Sequence, residues 1–473
     1  MNGQSRRTSR PGQEHGAALL IMLVIMVVGA LYFVVGQSQT ARVRVERDAI
    51  TAAALAQAKE ALIGYAITYS DTHPGEVFGY FPCPDTNGDG ISQSPCGSTG
   101  QAVVGLLPYA TLGVPVLRDA DGECLWYAVS GAYKNLPKTV PMNWDTQGQF
   151  QINDKNGNPI VTPNNPTNVD DSGGAAVVVF AVGGPLATQS RSNSANPCGR
   201  QGTGYSAYID SINPALPSTA STVIVQMGDS GSSTNNDRLM WITPKEVWNH
   251  IIARTNFADN IYQVFGSGGM IANALGDLAV LPGPKQLPPT PSNPSPPDSI
   301  AVGNMLFGFL DPCQIPVDGY VSPPPPPHYG CPPSHLAGLA PPHLDPNDAY
   351  LHNWLEQAFY VVCADQTQCL PCDDDSHPHP HPPSHPHLHT GVLIFSGRDL
   401  SASPRTSTLQ LGRNEANRNG TAAQQAAFAT SINRYLEGNN ASNYLSGTSS
   451  LTYSSAAPSP WPSSDVVLCL DPH

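Results

Sequence analysis

Asp85, Asn87 and Asp89, followed by Gly90, spell D-x-N-x-D-G. Oxygen ligands at alternate positions, with a glycine at the sixth, let a chain wrap a hard cation at about 2.4 Å. The twelfth position is Cys96, where an EF-hand loop has a bidentate glutamate. A calcium ion held here therefore needs a further carboxylate, and Asp119 and Asp121, with Glu123 in "RDADGE", are the candidates. The same residues also make Asx/Gly turns, which need no ion. A second cluster, "CDDDSHPHPHPPSHPHLH", carries His377, His379, His381, His385, His387 and His389 behind Asp373, Asp374 and Asp375. Imidazoles at that density chelate zinc, nickel or copper. The prolines between them fix no geometry, and a solvated low-complexity insertion has the same composition.

Ten cysteines are present: Cys83, Cys96, Cys124, Cys198, Cys313, Cys331, Cys363, Cys369, Cys372 and Cys469. An even count scattered through Pro/Gly-rich loops predicts disulfides in an oxidising compartment. Cys83 and Cys96 flank the D-x-N-x-D-G loop, where a bridge would stiffen it. Cys369-Leu-Pro-Cys372 has a redox spacing but opens no helix in a βαβ setting, so structural bridges within Cys363, Cys369 and Cys372 are expected. No G-x-S-x-G, H-E-x-x-H or phosphate-loop sequence occurs, and the chain reads as a non-enzyme. Its net charge of −14 argues against a nucleic-acid partner, because backbone phosphates demand a basic face.

The elements that must carry these groups divide the 473 residues into two or three domains. Residues 1–16 hold Arg6, Arg7 and Arg10, a short basic leader. Ala17 to Val35 has neither charge nor proline and is long enough, at about 1.5 Å per residue, nearly to span a hydrocarbon core. A transmembrane helix is therefore expected over 17–36, continuing as an amphipathic helix over 37–70. Ile50, Ala54, Leu55, Ala58, Leu62, Tyr65 and Tyr69 share one face of it. β-type runs follow in "ECLWYAVSG", "AAVVVFAVGG", "STVIVQMG" and "RLMWIT". "TPKE" at Thr243–Glu246 is a capping box that predicts a helix from Pro244 to about Ala253. These elements make a β-rich head over 71–281. Residues 282–348 form a Pro-rich linker, whose apolar "SIAVGNMLFGFLDPC" docks on a head domain. A second β-rich lobe occupies 349–473, with the His-rich insertion inside it. Thr421 caps a helix that Gly438 stops. "GVLIFSGRDLSASPR" matches "AVVVFAVGGPLATQSR" as an apolar strand, a glycine turn and then an arginine, an internal repeat. The fold class is α+β.

The basic leader, Gly16 before the apolar run and the long helix beyond it resemble type IV pilins and type II secretion pseudopilins. "ALAQAKEALIGYA", "FPCPDTNGDG", "GECLWYAVSG", "PLATQSR" and "NDRLMWIT" are similar, over roughly residues 10–250, to a group of bacterial pilin-like proteins with no well-defined biochemical activity. The resemblance implies an antiparallel pilin-like head and a structural subunit of a pilus or pseudopilus. It further implies a prepilin peptidase that cuts between Gly16 and Ala17 and methylates the new terminus, and other pilins as partners along the helix. The expected place is the bacterial inner membrane, with the N-terminus cytoplasmic and the head periplasmic. Pseudopilins also use calcium in their loops. The family's usual glutamate at the fifth mature position is Ile21 here, as in the large tip subunit of type II secretion, which implies a place at or near the tip. The alternative is a membrane-anchored surface adhesin or metal-binding protein on a pilin-like stem.

Overall fold

The computed structural model describes residues 15–138, 141–163, 173–191, 198, 204–229, 231–266, 269–276, 281, 284, 300–302, 304–308, 349–373, 388–398, 405, 412–413, 415–447, 451–454 and 465–471. One helix, α1 (His15–Thr72), runs unbroken for 58 residues. Its alanine-rich second half favours helix, and Pro74 with Gly75 at φ +83° follows its end. Ala54, Leu55, Ala58, Leu62, Ala66 and Tyr69, at spacings of one, three and four, are buried against the head. Leu20–Val28 at the other end are each about half or more exposed.

The expected transmembrane span is corrected here. Among the described residues no helix is long and apolar enough to cross a membrane. Beyond Val28, α1 carries Arg42, Arg44, Glu46, Arg47 and Asp48.

The first sheet is antiparallel with order β1 (Val103–Leu106), β2 (Trp126–Val129), β5 (Val177–Ala181), β8 (Arg238–Ile242). β2 and β5 are buried on both faces, which is why they read as continuous apolar runs. Tyr127, Val129, Val177 and Val179 share a core with α1, while Trp126, Ala128, Val178 and Phe180 face a second core. That second core is closed by a four-stranded sheet of order β4 (Pro159–Val161), β3 (Phe150–Asn153), β7 (Val223–Gln226), β6 (Ile212–Asn213).

The C-terminal part repeats the scheme. Its sheet has order β16 (Val466–Leu470), β14 (Gly391–Phe395), β11 (Ala358–Cys363), β10 (Met305–Gly308), β9 (Ile300–Val302). Strands β10-β11-β14-β16 follow one another as β1-β2-β5-β8 do. After the third strand of each set an arginine folds back onto the chain. Arg191 donates to the Gly183 carbonyl and Arg405 to the Gly397 carbonyl, each at 2.6 Å. A small sheet joins β13 (Leu388–His389), β12 (Leu370–Asp373) and β15 (Tyr453–Ser454). The purely antiparallel head expected from sequence is also corrected, since β3–β7 and β12–β15 are parallel pairs.

The two parts share one hydrophobic core. Between them lie α2 (Pro244–Ile252), α3 (Thr255–Phe265), α4 (Met270–Gly276) and α5 (Ala349–Trp354). Trp354 of α5 stacks edge-on against Trp144, with ring centroids 4.2 Å apart, and against Trp248 at 5.6 Å. Asn353 accepts from the Met142 amide at 2.7 Å, and its carbonyl accepts from Asn143 at 2.9 Å. Thr243 caps α2 by accepting from the Glu246 amide. The Glu246 carboxylate turns instead to Lys59 of α1 at 2.7 Å, and so pins stem to head.

Candidate functional site

A cleft of about 540 Å³ opens where α1 leaves the head. Its stem wall is Val43, Arg44, Arg47, Asp48 and Thr51; its head wall comes from the 119–121, 181–186 and 231–238 segments. Two ion pairs cross it, Arg47–Asp121 and Arg238–Asp48, the second at 3.0 Å. Thr51 accepts from the Ala120 amide at 3.2 Å.

Asp119 organises the head wall. One carboxylate oxygen accepts from the Asp121 and Glu123 amides at 2.9 and 3.0 Å, and the other from the Gly183 amide at 2.9 Å. Burial pushes its pKa up, opposed by those three amides. Beneath it, Arg191 donates to the carbonyls of Gly183 and Ala207 and to Gln189 Oε1, and lies 3.3 Å from Glu123. Gln189 donates to Asp210 at 2.6 Å, Asp210 accepts from the Asn236 amide at 3.0 Å, and the Asp210 amide donates to Asp237 at 2.7 Å. Burial raises the pKa of Asp210, and more strongly that of Asp237. "PLATQSR" and "NDRLMWIT" thus meet at one network under the stem. Asn236 Oδ1 and Asp237 Oδ1 are buried in it without a hydrogen-bond partner; the other bonds tie the three segments together, so the arrangement positions the stem on the sheet and presents no nucleophile beside a base.

The D-x-N-x-D-G loop closes on itself. Asp85 is fully buried, and its carboxylate accepts from the amides of Asn87, Gly88 and Gly90 at 2.9, 2.7 and 2.7 Å. Asp89 accepts from the Ile91 amide and from the Asn87 and Gln93 side-chain amides, and the Ile91 bond leads in lowering its pKa. Gly90 sits at φ +83°, and a Cβ there would fall 2.3 Å from the Tyr109 ring. Asp119 and Asp121, the carboxylates expected to complete a calcium shell, accept from head amides and pair with Arg47 of the stem respectively. Among the described residues no three His, Cys, Asp or Glu side chains come together as a metal-holding group.

No protein family, curated protein or solved structure matches the chain.

Among the described residues four disulfides are formed: Cys83–Cys96, Cys124–Cys198, Cys363–Cys369 and Cys372–Cys469. The first closes the D-x-N-x-D-G loop. Cys372 on β12, expected to bond within its local trio, reaches Cys469 on β16 of the five-stranded sheet instead. Cys313 and Cys331 lie outside the described residues, as do His377, His379, His381, His385 and His387. His389 is described, and its Nδ1 meets Asp471 at 2.8 Å. Gly16 and Ala17 fall in the first turn of α1, their side chains outside the described set. Sequence reasoning misses Arg191, Asp210 and Asp237 as site residues. Arg191 alone has a signal there, its repeated place after an apolar strand.

Proposed function

We propose that the chain is a stem-and-head assembly subunit of the minor pilin or pseudopilin kind, placed at or near the end of its filament. One observation carries this reading. At the start of α1, Leu20 to Val28 are exposed on every side of the helix, from 48% at Val24 to 69% at Met22 and Met26, while the same helix from Ala54 onward is bound into the head core. A helix apolar all round is stable in water only when other elements surround it. Helices of neighbouring subunits would supply those surroundings, each buried Leu, Ile, Val or Met side chain contributing about 1.5–3 kcal/mol. Prepilin peptidase would free the helix by cutting between Gly16 and Ala17, and Ile21, which carries no charge to be paired, suits a terminal place.

The test is Ile25→Asp in the full chain. A carboxylate there opposes burial among helices yet lies far from the head. The variant head melts like the wild type, and the protein is lost from the sheared filament fraction. Incorporation equal to wild type would overturn the proposal.

A further inference from the structure

Lys134 is fully buried, and its ammonium donates to three backbone carbonyls, those of Cys96, Ser98 and Gln101, at 2.7, 2.5 and 3.0 Å. Its shifted pKa has burial as its one cause, with no neighbouring charge contributing, and among the described residues it has no ion-pair partner. The three acceptors belong to a single tight loop, "CGSTGQ". Gly97 at φ +61° and Gly100 at φ +71° turn that chain back on itself, so its carbonyls point inward. The loop is anchored at its start by the Cys83–Cys96 bond and by the Cys96 amide donating to the Leu136 carbonyl at 3.0 Å. Lys134 is fixed from the other side, where Asn135 donates to the Phe81 carbonyl at 2.8 Å.

Three converging carbonyls, one of which (Ser98) also accepts from the Gln101 amide at 3.1 Å, repel one another unless a cation lies between them. An ammonium has three N–H donors and a compact charge, and so matches them one to one, whereas a planar guanidinium does not. We infer that residues 96–101 form a carbonyl-built socket for a compact monovalent ammonium-type cation, with the Lys134 side chain as its tethered occupant. Burial draws the Lys134 pKa down to about 8, so the charged form still prevails at neutral pH.

Removing the side chain to Cβ leaves a vacancy with the shape and charge of n-propylammonium, which is the probe. The full chain is melted as wild type, Lys134→Ala and Lys134→Met, in n-propylammonium chloride or tetramethylammonium chloride at equal ionic strength. Both variants melt several degrees below wild type. n-Propylammonium restores at least half of the loss in Lys134→Ala; tetramethylammonium, which has no N–H, restores none. Lys134→Met fills the socket without charge and answers to neither salt. A wild-type melting temperature for Lys134→Met, or equal action of the two salts on Lys134→Ala, would overturn the inference. If Lys134→Ala fails to fold, n-propylammonium present during refolding recovers it and leaves Lys134→Met unrecovered; no recovery overturns the inference as well.

Discussion

Arg238 on β8 and Asp48 on the stem helix meet at 3.0 Å across the cleft, close to where α1 passes from exposed to buried. Ile50 is half exposed and Ala54 is buried, so this pair and Arg47–Asp121 sit at the fulcrum between a free stem and a fixed one. Both members of the Arg238–Asp48 pair are more than a third exposed, and solvent screens them. Arg238→Ala is expected to cost less than about 1 kcal/mol in denaturant unfolding. The difference should vanish in about 1 M salt, where the screening length falls to about 3 Å. A larger, salt-independent loss would show that Arg238 acts through packing instead.

Asp85 presents the opposite case. Its carboxylate answers three amides, two of them in bonds fully shielded from solvent. Asp85→Ala leaves those donors without a partner and should cost about 2–4 kcal/mol. The loop is closed by its own hydrogen bonds, so wild type should melt at one temperature in chelator and in millimolar calcium. A higher midpoint in calcium would mean that the loop opens its oxygens to the ion.

Much of this architecture is legible in residue order, and the parts that are not share a cause. The stem follows from alanines and apolar residues at helical spacing, and β5 from an uninterrupted Val177–Ala181 run. The helix Ala422–Tyr435 follows from Thr421, whose capping box with Gln424 is formed. Gly438 reads in sequence only as a stop. At φ +49° it ends one path and opens the next helix, Gly438–Ser446, because a left-handed residue reverses the chain without specifying the element beyond it. Asp119 looks like a metal ligand because its type and spacing are right. One of the amides it accepts from, that of Gly183, is 64 residues away, and a backbone amide has no sequence signature. The carbonyls around Lys134 are invisible for the same reason, and the parallel β3–β7 pair joins strands separated by a long excursion that local pattern does not encode.

Asp465 should make the C-terminal part sensitive to pH. It accepts from the Glu437 amide and the Asn440 side chain, and burial pushes its pKa up to about 7 from 3.8. The fold therefore favours the protonated acid. As pH rises through about 4 the unfolded chain loses this proton first, so stability falls until about pH 7 and is flat above it. The span is on the order of 4 kcal/mol. Asp465→Asn keeps an acceptor for both donors and carries no charge. It should match wild type near pH 4 and exceed it at pH 8; parallel stability curves for the two proteins would contradict this assignment.

The disulfides should differ in worth by the loops they close. Cys372–Cys469 spans 97 residues and Cys363–Cys369 spans 6. In the chain-entropy account these are worth about 4.7 and about 2 kcal/mol. The double serine variant of the first pair should therefore unfold at clearly lower denaturant than that of the second. The reverse order would show that native contacts around Cys363 outweigh chain entropy.

The proposal that this chain is an assembly subunit of the pilin kind is tested most directly by the intact mass of the protein recovered from its native host. The account predicts a chain that begins at Ala17, lacks residues 1–16 and carries one added methyl group. A chain that retains Met1, or one cut beyond Val35, would contradict it.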